Sequence, residues 1–324
     1  MVAGNTAIVL AGTYPETYIS IGRSGLTFLA QEGAIITGQV DIGGSSNIIK
    51  GFEITSPAGN WAIQVRGKGN LVENNDIHHT YQDGIYFYGS DNIIRGNYIH
   101  DILQRPDDPH IDCFQTSGPA SNIIFENNIC LNPNTYGSNQ VAMIESRSNN
   151  TIDNLIFRNN IFIINAPYAG QMNFHRHTEL GEGVISNITV INNTFVHLNG
   201  MGYESIWMIN ITGGVVKNNI FVNYGDSTHS YILVSGISTD IDVSNNAIYK
   251  TSGSQPMGGP YPGDIWMQDP KLVDFYGLDF HLQPISPLID KGYNAGSLVL
   301  YDYDGNLRPQ GEAYDTGAFE YKPK

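Results

Sequence analysis

Asp83 and Asp112 each lead a short apolar run, Asp-Gly-Ile-Tyr-Phe at 83–87 and Asp-Cys-Phe-Gln at 112–115. Matching Ile85 and Phe114 as inward residues of successive stacked strands sets Asp112 directly over Asp83. Neighbouring strands lie about 4.8 Å apart, and two carboxylates that close cannot both ionise cheaply without a proton or a cation between them. The pair therefore points to a Ca2+ site with hard oxygen ligands or to an acid/base pair with one raised pKa. His110, two residues before Asp112, shares its side of a strand. The plainer alternative is that both aspartates form turns at the start of a strand, Asp-Gly being a common turn pair.

Two further runs continue the pattern: Val141-Ala-Met-Ile-Glu145-Ser-Arg147 and Gln171-Met-Asn173-Phe-His175-Arg176-His177. With Ile144 and Phe174 inward, Glu145 and His175 face outward as neighbours, and Arg147 and His177 follow at the same parity. Tyr86, Gln115, Asn173 and, one strand later, Trp207 extend this patch along one face. A one-residue slip would invert every facing. The two histidines at 175 and 177 also hint at a metal, although no cysteine or third histidine is placed to complete a zinc set.

What must position these residues is a repeat. The phrase Asn-[Ile/Leu]-[Ile/Val/Thr]-x-x-Asn recurs from Asn70 to Asn75, Asn92 to Asn97, Asn122 to Asn127, Asn154 to Asn159 and Asn187 to Asn192, with looser copies ending at Asn218 and Asn245. Its second asparagines are spaced 22, 30, 32, 33, 26 and 27 residues apart. Apolar residues alternate within each copy, the strand period, with Gly and Asn as punctuation. Such a unit is one coil of a β-solenoid: it buries its aliphatic face only by stacking, and equivalent asparagines would form a hydrogen-bonded ladder. The longest intervals fall within 101–186, where DILQRPDDPH, LNPNTYGSNQ and NAPYAG precede the candidate strands and RHTELGEG follows the last. Insertions at one corner of successive coils would wall a groove suited to an extended polymer; as bare surface loops they would be thermodynamically cheap.

Composition narrows the partners. The 324 residues carry a formal net charge of −15 with only 15% charged residues, which argues against nucleic acid, whose binding rests on phosphate neutralisation. No apolar run is long enough to span a membrane, so no membrane insertion is expected, and Met1-Val2-Ala3-Gly4 is no signal peptide. No amphipathic segment caps the first coils, which predicts a trimmed or mature chain. Cys113 and Cys130 are too few for a disulfide framework; they are read as buried core thiols, with pairing as the alternative. Residues 1–250 form the solenoid, and 251–324, opening on the Gly/Pro-rich TSGSQPMGGPYPGD, are expected as a loop and cap on the last coils.

The repeat over residues 7–250 resembles the single-stranded right-handed parallel β-helix proteins, which include pectate lyases, polygalacturonases, alginate lyases and epimerases, and phage tailspikes. His110, Asp112 and Gln115, as His-x-Asp-x-x-Gln, are similar to a segment of β-helix polysaccharide-active proteins. Asp108-Pro109-His110 resembles the mannuronan epimerase motif without its tyrosine-containing lead. The resemblance implies an all-β fold and a monomeric, secreted or extracellular enzyme that holds an extended polysaccharide beside the middle coils. The favoured chemistry is lyase β-elimination on a uronic-acid polymer. There Asp83, Asp112 and Glu145 hold Ca2+ or neutralise the subsite. His110, Arg147, His175 or Arg176 act at the reacting centre, and Tyr86, Gln115, Asn173, His177 and Trp207 contact sugar. An inverting glycoside hydrolase, with Asp112 as acid and Asp83 or Glu145 as base, and a non-catalytic glycan-binding or structural β-helix are the alternatives.

Overall fold

Short runs of alternating residues, broken by Asn and Gly, can only make short strands, and the chain makes many. The computed structural model describes residues 2–103, 110–132, 138–165, 172–200 and 202–323. Three sheets dominate, and every strand pair within them is parallel. Successive chain strands go to the first, second and third sheet in turn, so each circuit of the chain is one coil. The third sheet, which carries the candidate residues, runs from Tyr18–Ser20 through Trp61–Val65, Asp83–Phe87, His110–Thr116, Ser138–Ser146 and Met172–Arg176 to Ile232–Ser235. The inserted stretches 104–109, 133–137 and 166–171, on which the expected wall and the Asp108-Pro109 motif fall, lie outside the described residues.

Inside the coils, aliphatic and aromatic side chains stack into one continuous core. Phe125 lies 4.3 Å from Phe157 between ring centroids, nearly parallel, and Phe114 meets Phe125 at 5.0 Å. The buried asparagine ladder also forms, but with a different membership from the repeat phrase. It comprises Asn75, Asn97, Asn128, Asn160, Asn193, Asn219 and Asn246, each amide nitrogen donating to the next asparagine's Oδ1 at 2.9–3.0 Å. From Asn127 onward the phrase picked the residue before the ladder. Asn127, Asn159, Asn192, Asn218 and Asn245 instead take left-handed backbone with φ of 52–56°, a conformation Asn tolerates well. The sequence carries Asn-Asn doublets there, one for the turn and one for the ladder.

A second ladder, of charge, lines the outside of the first sheet. Lys50, Glu73, Arg95, Glu126 and Arg158 occupy one register column. Ion pairs join them in order: Lys50–Glu73 at 2.7 Å, Glu73–Arg95 at 2.7 Å, Arg95–Glu126 at 3.3 Å and Glu126–Arg158 at 2.5 Å.

The two cysteines are not thiols. Cys113, inside the third sheet, and Cys130, inside the second, face each other across the lumen and form a disulfide with Cα atoms 6.1 Å apart. Both are buried, as core thiols would be; burial alone could not separate the two readings. The bridge joins residues 17 apart, so its loss should cost roughly 3 kcal/mol by the chain-entropy model. The urea midpoint of Cys113→Ser/Cys130→Ser checks this, and a midpoint equal to that of the oxidised wild type would rule it out.

Residues beyond 250 do two things. The pair Ile265–Trp266 adds to the second sheet beside Ala247–Tyr249, and Asp264 Oδ1 accepts from the Asn246 N–H at 2.8 Å, where the next ladder asparagine would sit. Past residue 270 the chain turns back along the outside. Leu272, Phe280, Leu282, Leu288 and Phe319 pack on outward residues of the second sheet, among them Ile161, Val196 and Ile220. The amides of Asn127, Asn159 and Asn218 donate to the carbonyls of Tyr303, Tyr301 and Tyr293. The segment thus reaches well back from the last coil along the solenoid's flank.

Candidate active site

Strand residues alternate between faces, yet in the third sheet two consecutive residues are core in several coils: Ala62-Ile63, Cys113-Phe114 and Val141-Ala142. Each strand therefore bends at that point, leaving an outward column before the bend and another after it. The first column is Trp61, Asp83, Asp112 and Gln140; the second is Tyr86, Gln115, Met143, Asn173, Trp207 and Leu233.

The register sets Asp83 against Asp112 and Ile85 against Phe114, as the sequence predicts. Both carboxyls are buried, at 3% and 0% exposure. The Gln115 amide nitrogen, turned toward Asp83, donates to its Oδ2 at 2.5 Å and Oδ1 at 3.2 Å. Burial, then the charges of Asp83 and Glu145, hold the Asp112 carboxyl well above the usual carboxylate range. A proton on Asp112 therefore relieves the like-charge contact. The oxygens among the described residues fit Ca2+ in kind but not in number. Among the described residues Asp83, Asp112 and the buried Gln140 Oε1 supply them, against the six to eight that Ca2+ takes, and burial keeps water from making up the rest. His110 lies in the strand opposite Ser138; its side chain lies outside the described structure.

Two residues further along, the structure gathers a second group. Glu145 and His175 are register partners. Glu145 is only 5% exposed. Its Oε1 meets His177 Nε2 at 3.0 Å, and its Oε2 accepts from Arg147 Nε at 2.6 Å. His177 Nδ1 meets Glu179 Oε1 at 2.9 Å, and the rings of His175 and His177 stack 3.9 Å apart. Burial, then the neighbouring His177, lowers the pKa of His175. Burial also opposes charge on His177, but hydrogen bonds to Glu145 and Glu179 together outweigh it and raise that pKa. Two adjacent imidazoles are thus pushed in opposite directions.

Other expected members sit apart. Arg176 pairs with Ser146 in the register, at the opposite parity from His175 and His177. Gln115 lies beside Met143 rather than Glu145, because Thr116, not Phe114, is the partner of Ile144. Asn173 is buried, its amide nitrogen 3.2 Å from Met143 Sδ. Tyr86 meets Ser117 Oγ at 2.7 Å, and Trp207 Nε1 donates to Glu204 at 3.2 Å. Sequence reasoning missed Glu179, although its place two residues past His177 was a usable signal. It also missed Trp61 and Gln140 at the ends of the aspartate column.

Residues 38–166 match the family described as right handed beta helix region. The chain is a right-handed parallel β-helix. Among solved structures the β-helix resembles a pectate lyase, Pel9A, with TM-score 0.58 and 18% identity over 99% of this chain and 88% of that one. It also resembles a mannuronic acid specific polysaccharide family 6 lyase from human gut microbiota, with TM-score 0.45 and 14% identity over 78% of this chain and 54% of that one. The Streptococcus pneumoniae surface protein and adhesin PfbA matches with TM-score 0.42 and 12% identity over 79% of this chain and 90% of that one. No curated protein matches the chain in sequence. At these identities the likeness speaks to the fold. Among the described residues no helix is long and apolar enough to cross a membrane.

Proposed function

We propose that this β-helix cleaves an extended uronic-acid polysaccharide by β-elimination on the outer face of its third sheet. The observation that carries the reading is the Glu145 group: one buried carboxylate orienting Arg147 and His177, with His175 stacked beside them. Tyr86 and Trp207 stand in one outward column, four strand steps apart. That is about 19 Å at the usual strand spacing, room for several sugar rings along the axis.

Elimination needs the C5 proton removed, the C4–O bond broken with its electron pair leaving on the glycosidic oxygen, which takes a proton from water, and the carboxylate charge relieved as the C4–C5 double bond forms. His175 is the proton acceptor: its lowered pKa keeps the imidazole neutral. Arg147 and His177, whose contacts with Glu145 and Glu179 favour its charged form, face the substrate carboxylate and the enolate charge that develops on it. Glu145 is a positioning residue that holds both. Asp112 and Asp83 lie too deep to touch sugar; they shape the strand beside the group. No step passes through calcium. The hydrolase alternative is favoured only by the proton that Asp112 retains, and its burial would have to open before that proton reached a glycosidic oxygen. The disulfide fits an oxidising, extracellular setting.

The test is incubation with a panel of acidic polysaccharides. His175→Ala should lower the appearance of ultraviolet-absorbing unsaturated ends by 10²–10⁴-fold, the usual contribution of a general base. In chelator-treated protein the rate should also fall as pH drops through the lowered His175 pKa, because the base becomes protonated. New reducing ends without that absorbance would replace elimination by hydrolysis, and binding without any product would leave a glycan-binding module.

A further inference from the structure

We propose that Glu145, His175 and His177 form a binding site for a divalent transition-metal ion of the Zn2+ type. One ligand atom from each of the three residues lies within 4.8 Å of the others. Tetrahedral Zn2+ with bonds of about 2.0–2.1 Å needs donors roughly 3.4 Å apart, and the Glu145 Oε1 to His177 Nε2 separation is already 3.0 Å. That pair needs to open by only a few tenths of an ångström, and His175, stacked on His177, brings the third nitrogen within 4.8 Å.

The surroundings are those of a metal site rather than of a plain ion pair. A metal-bound histidine usually gives its second ring nitrogen to a carboxylate, which fixes the tautomer. Here Glu179 takes His177 Nδ1 at 2.9 Å and leaves Nε2 facing Glu145. The ligating carboxylate is itself held: Arg147 occupies Glu145 Oε2 and leaves Oε1 for an ion. Two imidazoles and one carboxylate leave a fourth position for water or substrate. Imidazole nitrogen favours Zn2+ and its neighbours over Ca2+. The charges nearest the ion are Glu145, Glu179 and Arg147, which sum to −1, so a divalent cation is welcome there.

The site does not rest on the cleavage reading, and the two uses of His175 exclude one another: a nitrogen bound to metal cannot accept a proton. Zinc should therefore inhibit elimination while binding whether or not any polymer is cleaved. The experiment is calorimetric titration of the full chain with Zn2+ at pH 7, without polysaccharide. One equivalent should bind. His177→Ala and Glu145→Gln should weaken binding at least 100-fold, and the exposed Glu179→Gln should weaken it 10–100-fold, the usual effect of losing an outer partner. Asp112→Asn should bind as the wild type does. A second histidine group, His78 and His100 with Glu53 and Asp76 on the outside of the second sheet, provides the control. Zinc binding lost in His100→Ala and retained in His177→Ala would overturn the proposal, as would the absence of stoichiometric heat.

Discussion

Asn160→Ala is expected to destabilise the β-helix by about 3–5 kcal/mol, counting two lost hydrogen bonds and two orphaned donors at ~1 kcal/mol or more each. The Asn160 amide nitrogen donates to the Phe125 carbonyl and to Asn193 Oδ1, both at 2.9 Å. Its Oδ1 accepts from the Asn128 backbone N–H at 2.9 Å and from the Asn128 amide at 3.0 Å. Alanine removes the first two bonds and leaves the Asn128 backbone N–H and one of its two amide hydrogens without an acceptor, the other keeping the Ile94 carbonyl at 2.9 Å. Asn154→Gly is the matched control. Asn154 is half-buried, has φ of 52°, and makes a surface hydrogen bond to Asn122. Glycine adopts that backbone freely, so the change should stay within about 0.5 kcal/mol. Urea denaturation of both variants reads the difference directly. Equal midpoints would mean that the buried ladder contributes no more than an ordinary surface contact.

Asp112→Asn should stabilise the fold above the acid range, on the order of 1–3 kcal/mol at pH 8. Its carboxyl is buried beside Asp83 and within the field of Glu145, which raises its pKa in the folded state. A group whose folded pKa lies above the unfolded value binds more protons folded than unfolded, so stability falls as pH rises between the two. Below about pH 4, the usual aspartate value, the penalty is absent. It grows as pH climbs toward the raised pKa and is complete above it. Asparagine has nearly the same shape and no charge to bury. Guanidinium midpoints of wild type and variant at pH 4.5 and pH 8 should diverge, the variant gaining at the higher pH. A gap that stays constant between the two would show that Asp112 ionises in the fold at no special cost.

The sequence carried the architecture because a coil repeats. The apolar frame at Ile85 and Phe114 was enough to place Asp112 over Asp83, and Ile144 with Phe174 was enough to bring Glu145 to His175. Four things stayed hidden. Asn-Asn doublets have two candidates for one ladder position, and only the turn geometry says which residue goes inside. The link between the two pairs slipped because Phe114 and Ile144 are both inward but two register positions apart: Phe114 lies opposite Ala142, and Ile144 opposite Thr116. Depth was the third. A carboxylate facing outward from a strand is ordinarily solvated, and nothing in the local residues announces that Asp112 is covered. Long-range packing hid the path of the C-terminal segment for the same reason, since contacts such as Asn159 with Tyr301 join residues 142 apart.

A chain made of near-copies faces the hazard of mistaking one copy for another. The buried asparagines cannot prevent it, since any rung satisfies any other equally well. The column Lys50, Glu73, Arg95, Glu126, Arg158 can, because its sign alternates from coil to coil. Skipping one coil during assembly would bring Lys50 against Arg95 or Glu73 against Glu126, and like charges directly opposite repel. The column thus acts as a parity check on folding, read out in which coil joins which rather than in how firmly the finished solenoid holds.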